Sequence, residues 1–147
     1  MSNDPKKILS ATRVVPATPQ QIFDLLADPA QHSTIDGSGS IRKPLSDAPA
    51  RLALGARFGM DMKIGVPYKI TNEVVEFDEP KQIAWRHFGG HIWRYILEPV
   101  EGGTRVTEQF DWNKSKSPLV LTLSGAFKKN QKSMEATLER MAAHFAG

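Results

Sequence analysis

Apolar and polar positions along this chain change their period near residue 117. Before that point apolar residues tend to alternate with polar ones, as in half-buried strands; after it they recur in steps of three and four. Leu119, Leu123, Phe127, Met134, Leu138, Met141 and Phe145 then share one face. That spacing predicts a helix from Ser117-Pro118 to Phe145, roughly 40 Å long, with Gly125 as a bend or point of close approach.

The first half predicts a strand over Lys6 to Val15, ended by Pro16. A helix follows with clear start signals. Thr18 is the N-cap, Pro19 takes the first helical position, and Gln21 completes a T-x-x-Q capping box. Ile22, Phe23, Leu25 and Leu26 form its apolar stripe. Asp28-Pro29 repeats the cap-then-proline signal and predicts a second short helix. Asp36 to Ser40 reads as a loop. Six strands are then expected near Ile41–Leu45, Arg57–Ile64, Tyr68–Phe77, Gln82–Phe88, His91–Val100 and Thr104–Trp112. Turns fall at Gly65-Val66-Pro67, Asp78-Glu79-Pro80, Gly89-Gly90 and Glu101-Gly102-Gly103. Such short connections imply an antiparallel meander of about seven strands in all.

Register identifies the inner face. A two-residue turn at Glu101-Gly102 sets Leu97 opposite Val106, Tyr95 opposite Glu108, Trp93 opposite Phe110, and His91 opposite Trp112. The reverse face pairs Arg94 with Gln109 and Glu98 with Arg105, and reads as water-facing. In the preceding hairpin, a two-residue turn would bury Arg86 opposite Trp93. A three-residue turn sets Trp85 opposite Trp93 and His87 opposite His91. Burying an unpaired guanidinium costs several kcal/mol, so the three-residue turn is expected. The same parity turns Val75 and Phe77 inward and carries Glu73 to the inner face near His87.

Composition narrows the function classes. The chain has 147 residues, 40% apolar and 24% charged, which fits one domain over 1–147. It has no cysteine, which excludes disulfides, thiolate metal sites and cysteine nucleophiles. That fits a cytoplasmic location. Met1 to Lys7 is polar, and no run approaches the ~18 apolar residues of a membrane span. Integral membrane association is therefore not expected. The net charge of +3 is mild and its basic residues are scattered, so nucleic acid is not an expected partner. Lys128, Lys129 and Lys132 read as a solvated helix face.

In order and spacing, the segments resemble the START-like, Bet v 1-like superfamily, and locally its polyketide cyclase/dehydrase and lipid transport branch. The resemblance rests on Pro16-Ala17-Thr18-Pro19-Gln20-Gln21-Ile22-Phe23 with Leu26-Ala27-Asp28-Pro29, and on Pro80 with Ile83-Ala84-Trp85. Trp93, Leu97-Glu98-Pro99, Gly103-Thr104-Arg105-Val106-Thr107 and the stretch from Met134 to Met141 complete it. It covers nearly the whole chain. It implies an α+β helix-grip fold, with a curved antiparallel sheet and one long C-terminal helix over a hydrophobic cavity. The fold serves binders, carriers, cyclases and interaction modules alike. Many relatives carry a tryptophan shortly after the Asp-Pro, where this chain has His32-Ser33-Thr34-Ile35-Asp36.

The expected function is binding or transport of a hydrophobic or aromatic small molecule. Ligand-contacting residues are expected to be Met60, Met62, Trp85, Trp93 and Phe110, with Trp112 and Phe127. His87, Tyr95 and Glu108 would meet its polar end. The alternative is an enzyme of the aromatase/cyclase kind, with Glu108, Tyr95 and His87 as candidate catalytic groups, since a carboxyl in an apolar pocket can transfer protons near neutral pH. A third reading is a protein-interaction module of the chaperone-activator kind. No cofactor is expected. His87 and His91 with Glu73 or Glu108 match no known metal spacing, so no metal is expected either. A homodimer is left open. No serine sits in a G-x-S-x-G elbow, and no phosphate-binding loop motif is present.

Overall fold

The computed structural model describes residues 7–36, 41–44, 51–64, 66–87, 90–115 and 126–146; for 41–44, 60–64 and 66–70 it describes the backbone. The elements are β1 (Ile8–Val15), α1 (Pro19–Leu26), a 3-10 turn (Pro29–Gln31), α2 (His32–Ile35), β2 (Ile41–Pro44), β3 (Arg57–Ile64), β4 (Val66–Asp78), β5 (Gln82–His87), β6 (Ile92–Val100), β7 (Gly103–Asp111) and α3 (Ala126–Ala146). All strands join one antiparallel sheet in the order β1-β7-β6-β5-β4-β3-β2. The first strand thus closes beside the last one, and each other strand pairs with its neighbour in sequence.

The helix starts follow their capping residues. Thr18 Oγ1 accepts from the Gln21 backbone N–H, while Gln21 Oε1 accepts from the Thr18 N–H. These bonds satisfy donors that a helix start otherwise leaves open. Asp28 caps the 3-10 turn by accepting from the Ala30 N–H. Ile22, Phe23, Leu25 and Leu26 are all buried. At the other end of the chain, Met134, Leu138 and Met141 bury one face of α3 against β1, β7 and α2. The anticipated start of this helix, Gly125 and the apolar Leu119 and Leu123 lie outside the described residues. So do Gly37 to Ser40 of the expected loop. Among the described residues no helix is long and apolar enough to cross a membrane.

The sheet confirms the register of the late strands. Trp93 lies opposite Phe110, Tyr95 opposite Glu108, Leu97 opposite Val106 and Trp85 opposite Trp93. Arg86 faces outward and is exposed, as the cost of burying it unpaired requires.

Three expectations fail. Val75 forms a bulge in β4: the ladder passes from Val74 opposite Trp85 to Glu76 opposite Ala84. One extra residue reverses side-chain parity. Val74, not Val75, is therefore the buried residue, and Glu73 faces outward against Arg86 at 3.1 Å. Phe77, beyond the bulge, keeps its inward position and packs edge-on to Phe23. Secondly, Arg94 is not water-facing. Its guanidinium binds Glu76 at 2.7 Å, Gln109 at 2.9 Å and Asp111 at 3.3 Å, and it is only 8% exposed. Paired charges and satisfied donors make that burial tolerable. Thirdly, Val66 and Pro67, expected in a turn, already belong to the β3–β4 ladder.

Candidate functional site

The concave face of the sheet brings together side chains from β5, β6 and β7. Phe110 is buried and Trp93 half-buried beside it, their ring centroids 4.8 Å apart. Trp85 stands beside Tyr95 at 5.6 Å. On the same face of β7 as Phe110 and opposite Tyr95 lies one carboxyl group. Glu108 is 4% exposed, and its Oε2 accepts a hydrogen bond from the Tyr95 hydroxyl at 2.9 Å. Its Oε1 is buried and has no hydrogen-bond partner among the described residues.

Burial dominates the electrostatics of this pair. Desolvation pushes the Glu108 carboxyl up to about 8, the Tyr95 hydrogen bond opposes the shift, and the Asp36 charge adds to it. The same burial raises the Tyr95 phenol well above its ordinary range, with the Glu108 charge adding to it. Glu108 is therefore mostly protonated at pH 7. Tyr95 already donates to Oε2, so the acid proton falls to Oε1. The face thus presents a neutral carboxylic acid whose free oxygen can donate.

His32 joins this face from α2. It is buried, stacks on Trp85 at 4.9 Å and meets Phe58 edge-on at 5.6 Å. Its Nε2 lies 2.9 Å from the Leu26 carbonyl oxygen, so it is the protonated nitrogen of a neutral ring. Desolvation lowers its pKa and keeps it neutral, although the Leu26 contact opposes the shift. The sequence reading assigned no role to His32 or Phe58. A histidine after an Asp-Pro helix start carries no signal of the tryptophan it will meet in a strand far along the chain.

His87 and His91 do come together, their rings stacked 4.4 Å apart across the β5–β6 turn. His91 also contacts Phe110 at 5.0 Å and Trp93 at 6.3 Å. Burial lowers both pKa values, that of His91 to about 4, with His87 adding to the latter. Glu73, imagined as a further ligand beside them, is on the opposite face in its ion pair with Arg86. Among the described residues no group of three or more His, Asp or Glu side chains could hold a metal.

Trp112 packs on Phe127 of α3 at 4.7 Å, and Lys7 lies over its indole at 5.5 Å. The indole Nε1 is buried without a partner among the described residues. This pair joins β7 to the helix, separate from the Tyr95–Glu108 contact. The side chains of Met60 and Met62 lie outside the described residues.

Comparison with known proteins places this geometry. Residues 7–146 match the family described as polyketide cyclase / dehydrase and lipid transport. The uncharacterized protein Rv0088 of Mycobacterium tuberculosis is 36% identical over 138 residues, covering 90% of this chain and 61% of that protein. The chain thus spans under two thirds of the length of the curated relatives it matches. Protein Ms6760 of Mycobacterium smegmatis has a similar fold, with TM-score 0.73 and 19% identity over 99% of this chain and 95% of that one. The Polyketide_cyc-like protein Cgl2372 of Corynebacterium glutamicum aligns with TM-score 0.57 and 17% identity over 94% of this chain and 88% of that one. The match across nearly all of its length shows that the chain belongs to the polyketide cyclase / dehydrase and lipid transport family.

Proposed function

We propose that the chain binds a hydrophobic or aromatic small molecule in a cavity between the concave sheet face and α3. Trp85, Trp93 and Phe110 contact its apolar body, and Glu108 meets one polar atom. The observation that carries this reading is the Glu108 Oε1, buried without a partner among the described residues. Leaving such a group unsatisfied costs about 1–3 kcal/mol, a cost that a bound acceptor relieves. A neutral acid donor suits a carbonyl, ether or hydroxyl oxygen on an otherwise apolar ligand.

Native mass spectrometry of the protein from its own host tests this. A reproducible apolar adduct that is lost on denaturation, and diminished in Glu108→Leu, which removes the donor, is the expected result. A clean apo mass together with no uptake of neutral fluorescent hydrophobic probes contradicts it.

A second reading has its own observation. A carboxyl titrating at about 8 is poised to give and take protons near neutral pH. In a polycarbonyl substrate that chemistry would assist enolisation and loss of water. This reading expects Glu108→Gln to abolish turnover while the ligand still binds; the binding reading expects no turnover in the parent chain.

A further inference from the structure

A groove of about 440 Å³ that Tyr95 and Glu108 do not line lies beside the middle of β4 and the C-terminal end of β5. Arg57 on β3, Glu73 on β4 and Arg86 on β5 line one side, and Gly90 and Lys114 belong to the other. Register explains the first side. Arg57 is opposite Glu73, and Glu73 is opposite Arg86. Neighbouring strands are about 4.8 Å apart, so the two arginine backbones stand roughly 10 Å apart with one carboxylate between them.

The other side depends on Gly90. It has φ +97°, and a Cβ there would collide with the Lys114 carbonyl oxygen. Only glycine lets the 112–115 segment pack this closely on the β5–β6 turn. Lys114 is thereby brought to the groove from outside the sheet.

Charge in the groove is unbalanced. Arg86 is engaged with Glu73 at 3.1 Å. Arg57 and Lys114 make no ion pair among the described residues. Among the described residues, three cations therefore border one concavity with a single carboxylate. We propose that this groove binds a phosphoryl oxyanion, free or carried on a larger molecule, through Arg57, Arg86 and Lys114. Cations arriving from two sides match a tetrahedral dianion, which offers oxygens in several directions. A planar monocarboxylate offers two oxygens on one edge and one charge, too little for the two cations that Glu73 leaves uncompensated. The groups are exposed, so the affinity falls as salt rises.

The test uses amide NMR of the full chain with inorganic phosphate and phenyl phosphate, ionic strength being held with chloride. Saturable shifts are expected at Gly90, His87 and Lys114. The double variant R57Q/K114Q weakens binding about tenfold or more, and E73Q, which removes the competing carboxylate, tightens it. Both variants alter exposed or half-exposed side chains and keep the fold. In parallel, sedimentation with phosphatidylcholine vesicles containing phosphatidic acid asks whether the phosphoryl group is a lipid headgroup. Soluble phosphate binding that R57Q/K114Q weakens supports a free ligand, and vesicle binding alone that the same variant loses supports a headgroup. No binding in either arm, or binding that R57Q/K114Q leaves unchanged, overturns the proposal.

Discussion

The Tyr95 hydroxyl donates to Glu108 Oε2 at 2.9 Å, across a directly opposed pair of β6 and β7. Both groups are buried, and both are held toward their protonated forms. That contact turns one Glu108 oxygen toward its partner strand and leaves the other buried without a partner among the described residues.

The raised Glu108 pKa sets a pH dependence of stability. In the unfolded chain the carboxyl titrates near 4.5; in the fold it titrates at about 8. Between these values the native state keeps a proton that the unfolded state has lost. The contribution is therefore fully present below pH 4.5 and is lost as pH rises through 8. Glu108→Gln lacks this slope. Relative to the parent, the variant gains on the order of 3–5 kcal/mol between pH 5 and pH 9. Urea unfolding of both proteins at the two pH values checks it; parallel profiles would contradict it.

Arg94 controls the acid side. Hydrogen bonding to Arg94 is the main cause that holds Glu76 below the usual carboxylate range. A depressed carboxylate contributes stability above its unfolded value of 4.5 and loses it as pH falls through the lowered pKa. Arg94→Met takes the guanidinium away from Glu76 and from Asp111, whose side chain is 2% exposed and keeps its bonds from Asn113. The expected loss at pH 7 is about 3–5 kcal/mol, with a flatter acid limb, both read by chemical denaturation across pH.

Gly103 has φ +145°, and a Cβ there would run into the Val15 carbonyl oxygen. Gly103→Ala should cost about 3 kcal/mol or more, through strain and a disturbed β1–β7 junction. Gly102, also at positive φ but with open space around it, should cost less on the same substitution. Thermal melts of the two variants compare them.

His32 is a packing residue as well as a polar one. His32→Ala removes the stack on Trp85 and the hydrogen bond to Leu26. The expected loss is about 2–4 kcal/mol, with a change in tryptophan fluorescence. His32→Phe keeps the ring contact and should recover most of that loss. Equal losses in the two variants would contradict the stacking role.

Much of the sheet was legible because turns and charge fix parity. The Glu101-Gly102 turn determines that Tyr95 faces Glu108, and the cost of burying Arg86 unpaired selects the pairing of Trp85 with Trp93. The Thr18–Gln21 capping box marks a helix start through local bonds alone. The Val75 bulge was not legible. Val74 and Val75 are equally apolar and lie between Glu73 and Glu76, so either valine satisfies the pattern. Only pairing with β5 decides between them. The burial of Arg94 escaped for a related reason: Glu76 and Asp111 come from two different strands, and alternation along one strand cannot show that their carboxylates converge.

The central claim is that an apolar ligand lies against the Tyr95–Glu108 pair on the concave face. Intermolecular NOEs from a bound, neutral aromatic ligand to assigned ring protons test it most directly. The account predicts contacts to Trp85, Tyr95 and Phe110 that weaken in Glu108→Leu, which removes the donor. Contacts confined to exposed positions such as Val14 and Leu54 would contradict it.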